Sequence, residues 1–167
     1  MRITTSSESW GVVCRHLLPE PAGSEHAAFL FGNFEPKHCL IRVTDYELLA
    51  PGDFIVQEID YLELTDATRA RLIKRAHDIG ACLIEMHSHP GHAAAVFSVS
   101  DFIGLRETVP HMLWRLRGQP YAAIVVANSG FDGLAWYPGT IAPVGLEGVA
   151  IGSRLLVPTN LSVRRWR

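Results

Sequence analysis

The richest metal-binding chemistry of this sequence lies in one stretch, Glu85-Met-His-Ser-His-Pro-Gly-His-Ala-Ala-Ala-Val-Phe-Ser-Val-Ser-Asp101. It follows the apolar run Ala-Cys-Leu-Ile at residues 81–84, a pattern typical of a buried strand. Along a strand, side chains at positions i and i+2 point to the same face of the sheet. His87 and His89 can therefore approach the same ion.

After the histidines the chain turns and starts a helix. Pro-Gly at 90–91 ends the strand, and Ser98-Val-Ser-Asp101 has the spacing of a helix start with a capping side chain. This brings a carboxylate back toward the histidines. A hydrolytic zinc site needs three imidazole or carboxylate ligands and an open fourth position for water. His87, His89 and Asp101 form a candidate set of this kind.

Length and composition narrow the class of protein. The chain has 167 residues, 48% of them hydrophobic and 19% charged, which suits one domain with a well-buried core. A net charge of -2 and a pI near 6.4 argue against nucleic-acid and membrane-surface partners. No segment has the apolar length of a membrane span or the pattern of a signal peptide, so we expect a cytoplasmic protein. The three cysteines lack C-x-x-C spacing, and we expect them to be small buried residues.

The periodicity of the sequence predicts a mixed α and β fold. The predicted helices are Ser6–Leu18, Asp66–Ile79 and Ser98–Thr108, the last stopped by Pro110, with one further turn at Met112–Leu116. The predicted strands are His26–Phe31 (ending at Gly32-Asn33), His38–Leu49, Phe54–Leu64, Ala81–His87, Tyr121–Val126 and Gly133–Tyr137. We expect one domain over residues 1–140, with residues 141–167 as an extension packed on it.

Two segments resemble the JAB/MPN domain of the JAMM zinc metalloproteases. The first is Glu25-His-Ala-Ala-Phe-Leu-Phe-Gly32, which is similar to the E-x-x-G-x-x-x-G segment that opens that domain. The second is His87-Ser-His-Pro-Gly with Ser98-Val-Ser-Asp101, which is similar to the H-x-H-P…S-x-x-D signature. The resemblance covers roughly residues 6–140. It implies an MPN/JAB fold of the α+β class, a mixed curved β-sheet flanked by helices and similar to the cytidine deaminases.

The resemblance also implies roles for five residues. His87, His89 and Asp101 would bind one zinc ion, and Glu25 would be the general base that moves a proton from water to the leaving amine. Ser98 would donate a hydrogen bond to the developing oxyanion.

Three positions depart from the family pattern. The loop Pro90–Phe97 is one residue longer than usual and must bulge, and Ala28 stands where the family often has glycine. Glu85 stands where the family is often aromatic. It shares a strand face with His87, so it either orients a ligand histidine or lies in solvent or in a salt bridge at the sheet edge. His92, within the longer loop, is a candidate for the mouth of the site.

The function that this resemblance implies is zinc-dependent cleavage after the C-terminal tail of a ubiquitin-like or sulfur-carrier protein. The compact chain is more similar to stand-alone prokaryotic JAB isopeptidases than to the eukaryotic deubiquitinases, and E1-like or E2-like proteins are the implied partners. Two alternatives stay open. One is a non-catalytic MPN scaffold or partner-binding module, although scaffolds usually lack some of the five site residues; the other is hydrolysis of a small amide.

Overall fold

The computed structural model of the protein describes residues 1–21, 23–91 and 94–166. Its α-helices are α1 (Ser7–Leu17), α2 (Asp66–Asp78), α3 (Val99–Arg115) and α4 (Leu161–Arg165). Its strands are β1 (Arg2–Thr5), β2 (Ala27–Glu35), β3 (Leu40–Leu48), β4 (Phe54–Gln57), β5 (Leu62–Leu64), β6 (Cys82–Ser88), β7 (Tyr121–Ala127), β8 (Gly130–Trp136), β9 (Val144–Gly145), β10 (Gly148–Ile151) and β11 (Arg154–Leu156). The mixed α and β composition predicted from the sequence is confirmed.

Nine strands of the described chain form one mixed sheet in the order β11-β10-β1-β3-β2-β6-β7-β8-β9. Strand β6 lies inside this sheet, antiparallel to β2 and parallel to β7. Strands β4 and β5 form a separate antiparallel hairpin. The strand that carries the histidines is therefore fixed by hydrogen bonds along both of its edges.

Helices cover both faces of the sheet and bury two apolar cores. Leu72 of α2 and Leu105 of α3 pack on one face against Leu83. Leu17 of α1 packs on the opposite face in the same core as Ile84. The residues of β6 alternate between these cores, as the two-residue period of a strand requires. His87 is four residues after Leu83, so its side chain points to the same face of the sheet as Leu83, the face covered by α2 and α3.

Helix α3 runs through Pro110, so the predicted stop at that residue is wrong. A proline removes one backbone hydrogen bond from the helix interior and crowds the preceding turn. Pro110 is exposed, however, whereas Leu105, Val109 and Met112 are buried in the core on the other side of the helix. Burial of that apolar face outweighs the local cost of the proline, since tertiary packing supplies most of the stability of a helix in a protein.

Two strand predictions also need correction. The predicted strand Phe54–Leu64 is interrupted, because residues 58–61 form the turn of the β4–β5 hairpin. Strand β2 continues past Gly32 to Glu35, with a register shift against β3 between Phe31 and Gly32. A Cβ at Gly32 would lie 2.7 Å from Cγ2 of Ile41 on β3. This glycine thus permits close approach of two strands within the sheet and does not end one.

The C-terminal residues join the main sheet and core. Strand β10 pairs in parallel with β1, and Trp166 packs edge-on against Phe102 of α3 and Trp136 of β8. One cysteine prediction is wrong, because Cys39 is exposed. Within the described ranges, no helix combines the length and apolarity that crossing a bilayer requires.

Candidate metal centre

The two histidines are held by the end of β6. His87 lies on the strand, and His89 is the first residue beyond it. The backbone N–H of His89 donates to the carbonyl of Val126 on β7 at 2.8 Å, so the residue after the strand is still fixed to the sheet. Their side chains converge, with 3.2 Å between the two Nε2 atoms. The same-face approach predicted from the H-x-H spacing is present.

Asp101 reaches the histidines from the first turn of α3. The Ser98 N–H donates to Oδ2 of Asp101 at 2.6 Å, and the Asp101 N–H donates to Oγ of Ser98 at 3.1 Å. This reciprocal capping box fixes the carboxylate. Its Oδ1 lies 3.5 Å from Nε2 of His87, and its Oδ2 lies 3.2 Å from Nε2 of His89. The longer loop before Ser98 does not keep Asp101 from the site; His92, in that loop, lies outside the described residues.

The spacing of these three side chains fits a tetrahedral cation. Bonds of about 2.0–2.1 Å from a tetrahedral zinc ion place neighbouring ligand atoms about 3.3–3.4 Å apart. The two Nε2 atoms are 3.2 Å apart, and the nearer Asp101 oxygen lies 3.5 Å from His87 (Oδ1) and 3.2 Å from His89 (Oδ2). With one ligand atom taken from each side chain, all three lie within 4.8 Å of one another. Neutral imidazole and carboxylate are also suitable donors for such an ion. The His87, His89 and Asp101 side chains can therefore hold one metal ion.

Glu25 lies beside the histidines, two residues before β2. Its side chain is 4% exposed, and its Oε1 lies 3.4 Å from Nε2 of His89. The β4–β5 hairpin fixes its backbone, because its N–H donates to the Glu58 carbonyl at 2.7 Å and its carbonyl accepts from Nε2 of Gln57 at 3.0 Å. The structure thus brings the predicted base to the predicted ligands, although Glu25 and His87 are 62 residues apart in the sequence.

Ser88 contributes to this arrangement and was not predicted from the sequence. Its fully buried Oγ accepts from the His26 N–H at 2.9 Å, and its own N–H donates to the His26 carbonyl at 3.0 Å. Together these bonds fix the segment that carries Glu25 to the strand that carries His87. A serine between two histidines gave no signal of this contact, because its partner is distant in the sequence.

The site shifts the pKa values of its own groups. Burial raises the pKa of Glu25 to about 7, an effect that the charge of His87 opposes. Burial alone would lower the pKa of His87, but the Asp101 carboxylate outweighs it and raises that pKa to about 9. Burial would raise the pKa of Asp101, yet the charge and hydrogen bond of His87 hold it well below its usual range. The cluster of acidic groups therefore stabilises positive charge between the ligand side chains, either a proton or a metal ion.

The structure places Ser98 at the N-cap of α3. Its Oγ accepts from the Asp101 N–H and lies 2.8 Å from Oγ of Ser100. The described walls of the adjacent cleft include Ser100 but not Ser98. The contact of Ser98 that the structure supports directly is thus the one that holds Asp101.

Glu85 forms its hydrogen bond with a residue that the sequence did not suggest. The hydroxyl of Tyr121 on β7 donates to its carboxylate. Burial raises the pKa of Glu85, while this hydrogen bond lowers it. This contact within the sheet differs from a carboxylate in solvent or in a salt bridge at the sheet edge, and the other prediction, that Glu85 orients a ligand histidine, stays a prediction. Glu85 also lines the cleft next to His87.

A cleft of about 400 Å³ leads from the candidate metal centre. One wall is α3, a second is β5 with the turn before it, and the sheet forms the floor. Among the described residues, six carboxylate residues and one arginine line it, namely Glu25, Asp60, Glu63, Glu85, Asp101, Glu107 and Arg69. The cleft therefore has a negative field beside the candidate metal site.

Comparisons with known proteins bear on the fold alone. No protein-family model matches the chain, and no curated protein matches it. A solution structure of a protein from Desulfitobacterium hafniense matches with a TM-score of 0.54 and 13% identity, over 90% of this chain and 94% of that chain. A solution structure of a protein from Salinibacter ruber matches with a TM-score of 0.47 and 19% identity, over 95% and 96% of the two chains. The first match shows a similar mixed α and β architecture.

Proposed function

We propose that this protein is a zinc-dependent peptidase of the JAMM type, built on an MPN fold, that cleaves after the C-terminal tail of a ubiquitin-like or sulfur-carrier protein. The observation that carries the proposal is the convergence of His87, His89 and Asp101 at 3.2–3.5 Å, with the Glu25 carboxylate 3.4 Å from His89. When bound, zinc would supply Lewis acidity, which lowers the pKa of a coordinated water toward about 7 and polarises a carbonyl.

Glu25 is suited to moving the proton in this reaction. A base is most effective when its pKa lies near the working pH, and burial raises the pKa of Glu25 to about 7. A nearby cation would lower that value again, because it favours the ionised carboxylate. Glu25 would accept a proton from the attacking water and deliver it to the leaving amine. Its backbone contacts to the β4–β5 hairpin keep the carboxylate in place through both transfers.

Ser98 is the proposed donor to the oxyanion. Its Oγ already accepts from the Asp101 N–H, so its own proton remains available to donate. In the described structure the nearest partner is Ser100 Oγ at 2.8 Å. The proposed role requires that proton to point at the substrate carbonyl oxygen.

The shape of the cleft supports an extended polypeptide as the substrate. Strand β5 lines it and pairs with β4, and within the described residues its other edge has no strand partner. An extended tail can add to such an edge by backbone hydrogen bonds. Exposed apolar side chains lie on both sides, with Tyr61 43% exposed on the hairpin and Ile103 53% exposed on α3. Such residues around a groove are typical of a surface that contacts another protein.

The charge of the cleft indicates which tails it prefers. Asp60, Glu63 and Glu107 line the cleft, and Arg69 is the single arginine among its described walls. Arg69 already pairs with Asp66 at 3.1 Å. We therefore expect a tail with arginine or lysine near the scissile bond to be cleaved faster than the same tail with glutamate at that position.

The proposal includes the expected cytoplasmic location and a place beside E1-like or E2-like proteins of a prokaryotic conjugation system. These partners rest on the resemblance of the sequence motifs alone.

The rival proposal is a non-catalytic MPN scaffold that binds a partner protein. It is favoured by the exposed apolar residues of α3, including Val99 and Trp114, each 75% exposed. A scaffold needs no metal and usually lacks some of the five motif residues. All five are intact in this chain, which argues against the scaffold. Measurement of bound zinc by elemental analysis separates the two proposals.

The activity is tested with a fusion of a ubiquitin-like protein, its tail ending in Gly-Gly, to a reporter. A second substrate carries the reporter on a lysine side chain, and a third is the tail peptide alone. We expect cleavage of a protein fusion that stops on addition of a chelator and returns with zinc. Glu25→Gln, which keeps the size of the side chain, is the matched control. Cleavage of the short peptide alone would favour the small-amide alternative, and no zinc with no cleavage would favour the scaffold.

A further inference from the structure

The C-terminal segment touches the loop that leads into the metal centre. Thr159 Oγ1 donates to the carbonyl of Ala95 at 2.8 Å, and the Phe97 N–H donates to Oγ of Ser162 at 2.9 Å. The second bond is buried, because Ser162 is 0% exposed. Two side chains of the C-terminal segment thus hold the backbone of residues 95–97, directly before the helix that carries Asp101.

A buried carboxylate anchors this segment to the sheet. Asp132 on β8 is 0% exposed, and its Oδ2 accepts from the Ser162 N–H at 2.8 Å. Its Oδ1 accepts from the Asn160 N–H at 2.9 Å, and the Thr159 N–H donates to the Phe131 carbonyl at 3.0 Å. Both oxygens of one buried side chain on β8 thus accept from the backbone of the segment. The segment is therefore fixed relative to β8 and can hold the loop rigidly.

The held loop end contacts the metal centre at two points. The ring of Phe97 packs against His87, with 5.6 Å between ring centroids. The next residue, Ser98, forms the capping box that orients Asp101. A shift of Phe97 would therefore displace His87 through ring packing and Asp101 through the backbone of Ser98.

We propose that Ser162 and Thr159, anchored by Asp132, are positioning residues that preorganise the metal centre. The inference rests on the proposed function, since it presupposes that His87, His89 and Asp101 bind a metal. Two of these ligands, His89 and Asp101, are joined by a loop longer than the usual family spacing. A free loop would lose conformational entropy when the ion fixes its ends, and a loop already held loses less.

The test is the zinc affinity of the full-length protein, measured by competition with a chelator of known affinity. Groups that orient metal ligands typically contribute about 10–100-fold to affinity. We expect Ser162→Ala and Thr159→Val each to weaken zinc binding about tenfold. Thr159→Ser, which keeps the hydroxyl, should bind as the parent does. Thr159→Val also carries the test if Ser162→Ala does not fold.

Ser6→Ala is the matched control for a loss of stability. It removes the N-cap of α1, where Ser6 Oγ accepts from the Ser9 N–H, on the opposite face of the sheet. We expect it to lower the melting temperature without changing zinc affinity. Hydrogen exchange adds a second readout, because Ser162→Ala should speed exchange of the Phe97 amide.

The results separate the two proposals. If the parent binds zinc tightly and Ser162→Ala and Thr159→Val bind it equally tightly, the positioning inference is wrong and the proposed function stands. A parent that binds no zinc overturns the proposed function, and the inference with it.

Discussion

Strand β6 has two faces with opposite chemistry within seven residues. On the face toward α1, Cys82, Ile84 and Met86 are each 0% exposed in an apolar core. On the face toward α2 and α3, only Leu83 is apolar and fully buried, and Glu85 and His87 follow it toward the cleft. We call the first three residues the apolar face and the other three the polar face; Ser88, the last residue of the strand, bonds to His26 and is counted with neither.

The difference shows how the chain supports a polar site inside a sheet. Burying a polar group costs free energy unless it is hydrogen-bonded or paired. On the polar face, the Tyr121 hydroxyl donates a hydrogen bond to the Glu85 carboxylate, and the Asp101 carboxylate lies beside His87. The apolar face contributes burial with no such cost. Changes on the polar face should therefore affect chemistry more than stability, and changes on the apolar face should do the reverse.

The largest expected effect is on the polar face, at His87. His87→Ala removes one of three proposed ligands. Structural zinc sites with four ligands bind with about 10–16 kcal/mol, so the loss of one ligand corresponds to roughly a 100- to 1,000-fold drop in affinity. Competition with a chelator measures the zinc affinity, and a thermal melt of the metal-free protein measures the stability. Unchanged zinc affinity would remove His87 from the ligand set.

A second test lies opposite β6, at Glu25. Because general acid–base catalysis contributes about 10²–10⁴-fold, Glu25→Gln should slow cleavage by a factor in that range. Zinc should remain bound, since Glu25 is not among the proposed ligands. Single-turnover cleavage with parallel elemental analysis checks both statements, and a variant that cleaves at the parent rate would exclude Glu25 as the base.

On the apolar face, Met86→Ala is the counterpart of His87→Ala at the adjacent position. Deletion of a fully buried methionine side chain typically costs about 2–5 kcal/mol of stability. Chemical denaturation of metal-free protein measures the cost. Zinc affinity under conditions where the variant is folded should equal that of the parent. If folded Met86→Ala lost as much zinc affinity as His87→Ala, the two faces would not be independent.

The acidity of the medium should change metal binding through the polar face. The pKa of His87 in the metal-free site is about 9, against an ordinary value of 6.5. A proton on this ligand competes with the ion, so zinc affinity should rise about tenfold per pH unit from pH 7 toward 9. The folding stability of the metal-free protein should change with pH in the opposite direction. A raised pKa contributes stability below about 6.5, and this is lost as the pH rises through about 9. Affinity independent of pH across this range would contradict the prediction.

The smallest effect is expected at Tyr121→Phe. This change leaves the Glu85 carboxylate without its hydroxyl donor, and an unsatisfied buried group costs about 1–3 kcal/mol. We expect a loss of stability near the lower end of that range and no change in zinc affinity. Denaturant melts and zinc competition measure the two quantities. A tenfold drop in affinity would instead make Glu85 part of the support of the metal ligands.

Much of the candidate metal centre was predictable because its signals are local. The i, i+2 spacing of His87 and His89 and the capping pattern of Ser98 with Asp101 depend on the geometry of one strand and one helix start. Glu25 was selected only by resemblance to a family motif, since nothing in its neighbourhood indicates a base. The stop at Pro110 failed for a related reason, because a local rule was outweighed by the burial of the opposite side of the helix.

By itself, the sequence determined the mixed α and β class and the identity of the three candidate ligands, because strand and helix periodicities are properties of neighbouring residues. Tertiary structure alone decided which distant groups support them. Ser88 fixes the Glu25 segment, Tyr121 binds Glu85, and Ser162 holds the loop before Asp101. Each contact joins residues more than 30 positions apart, and such pairs leave no periodic trace in the sequence.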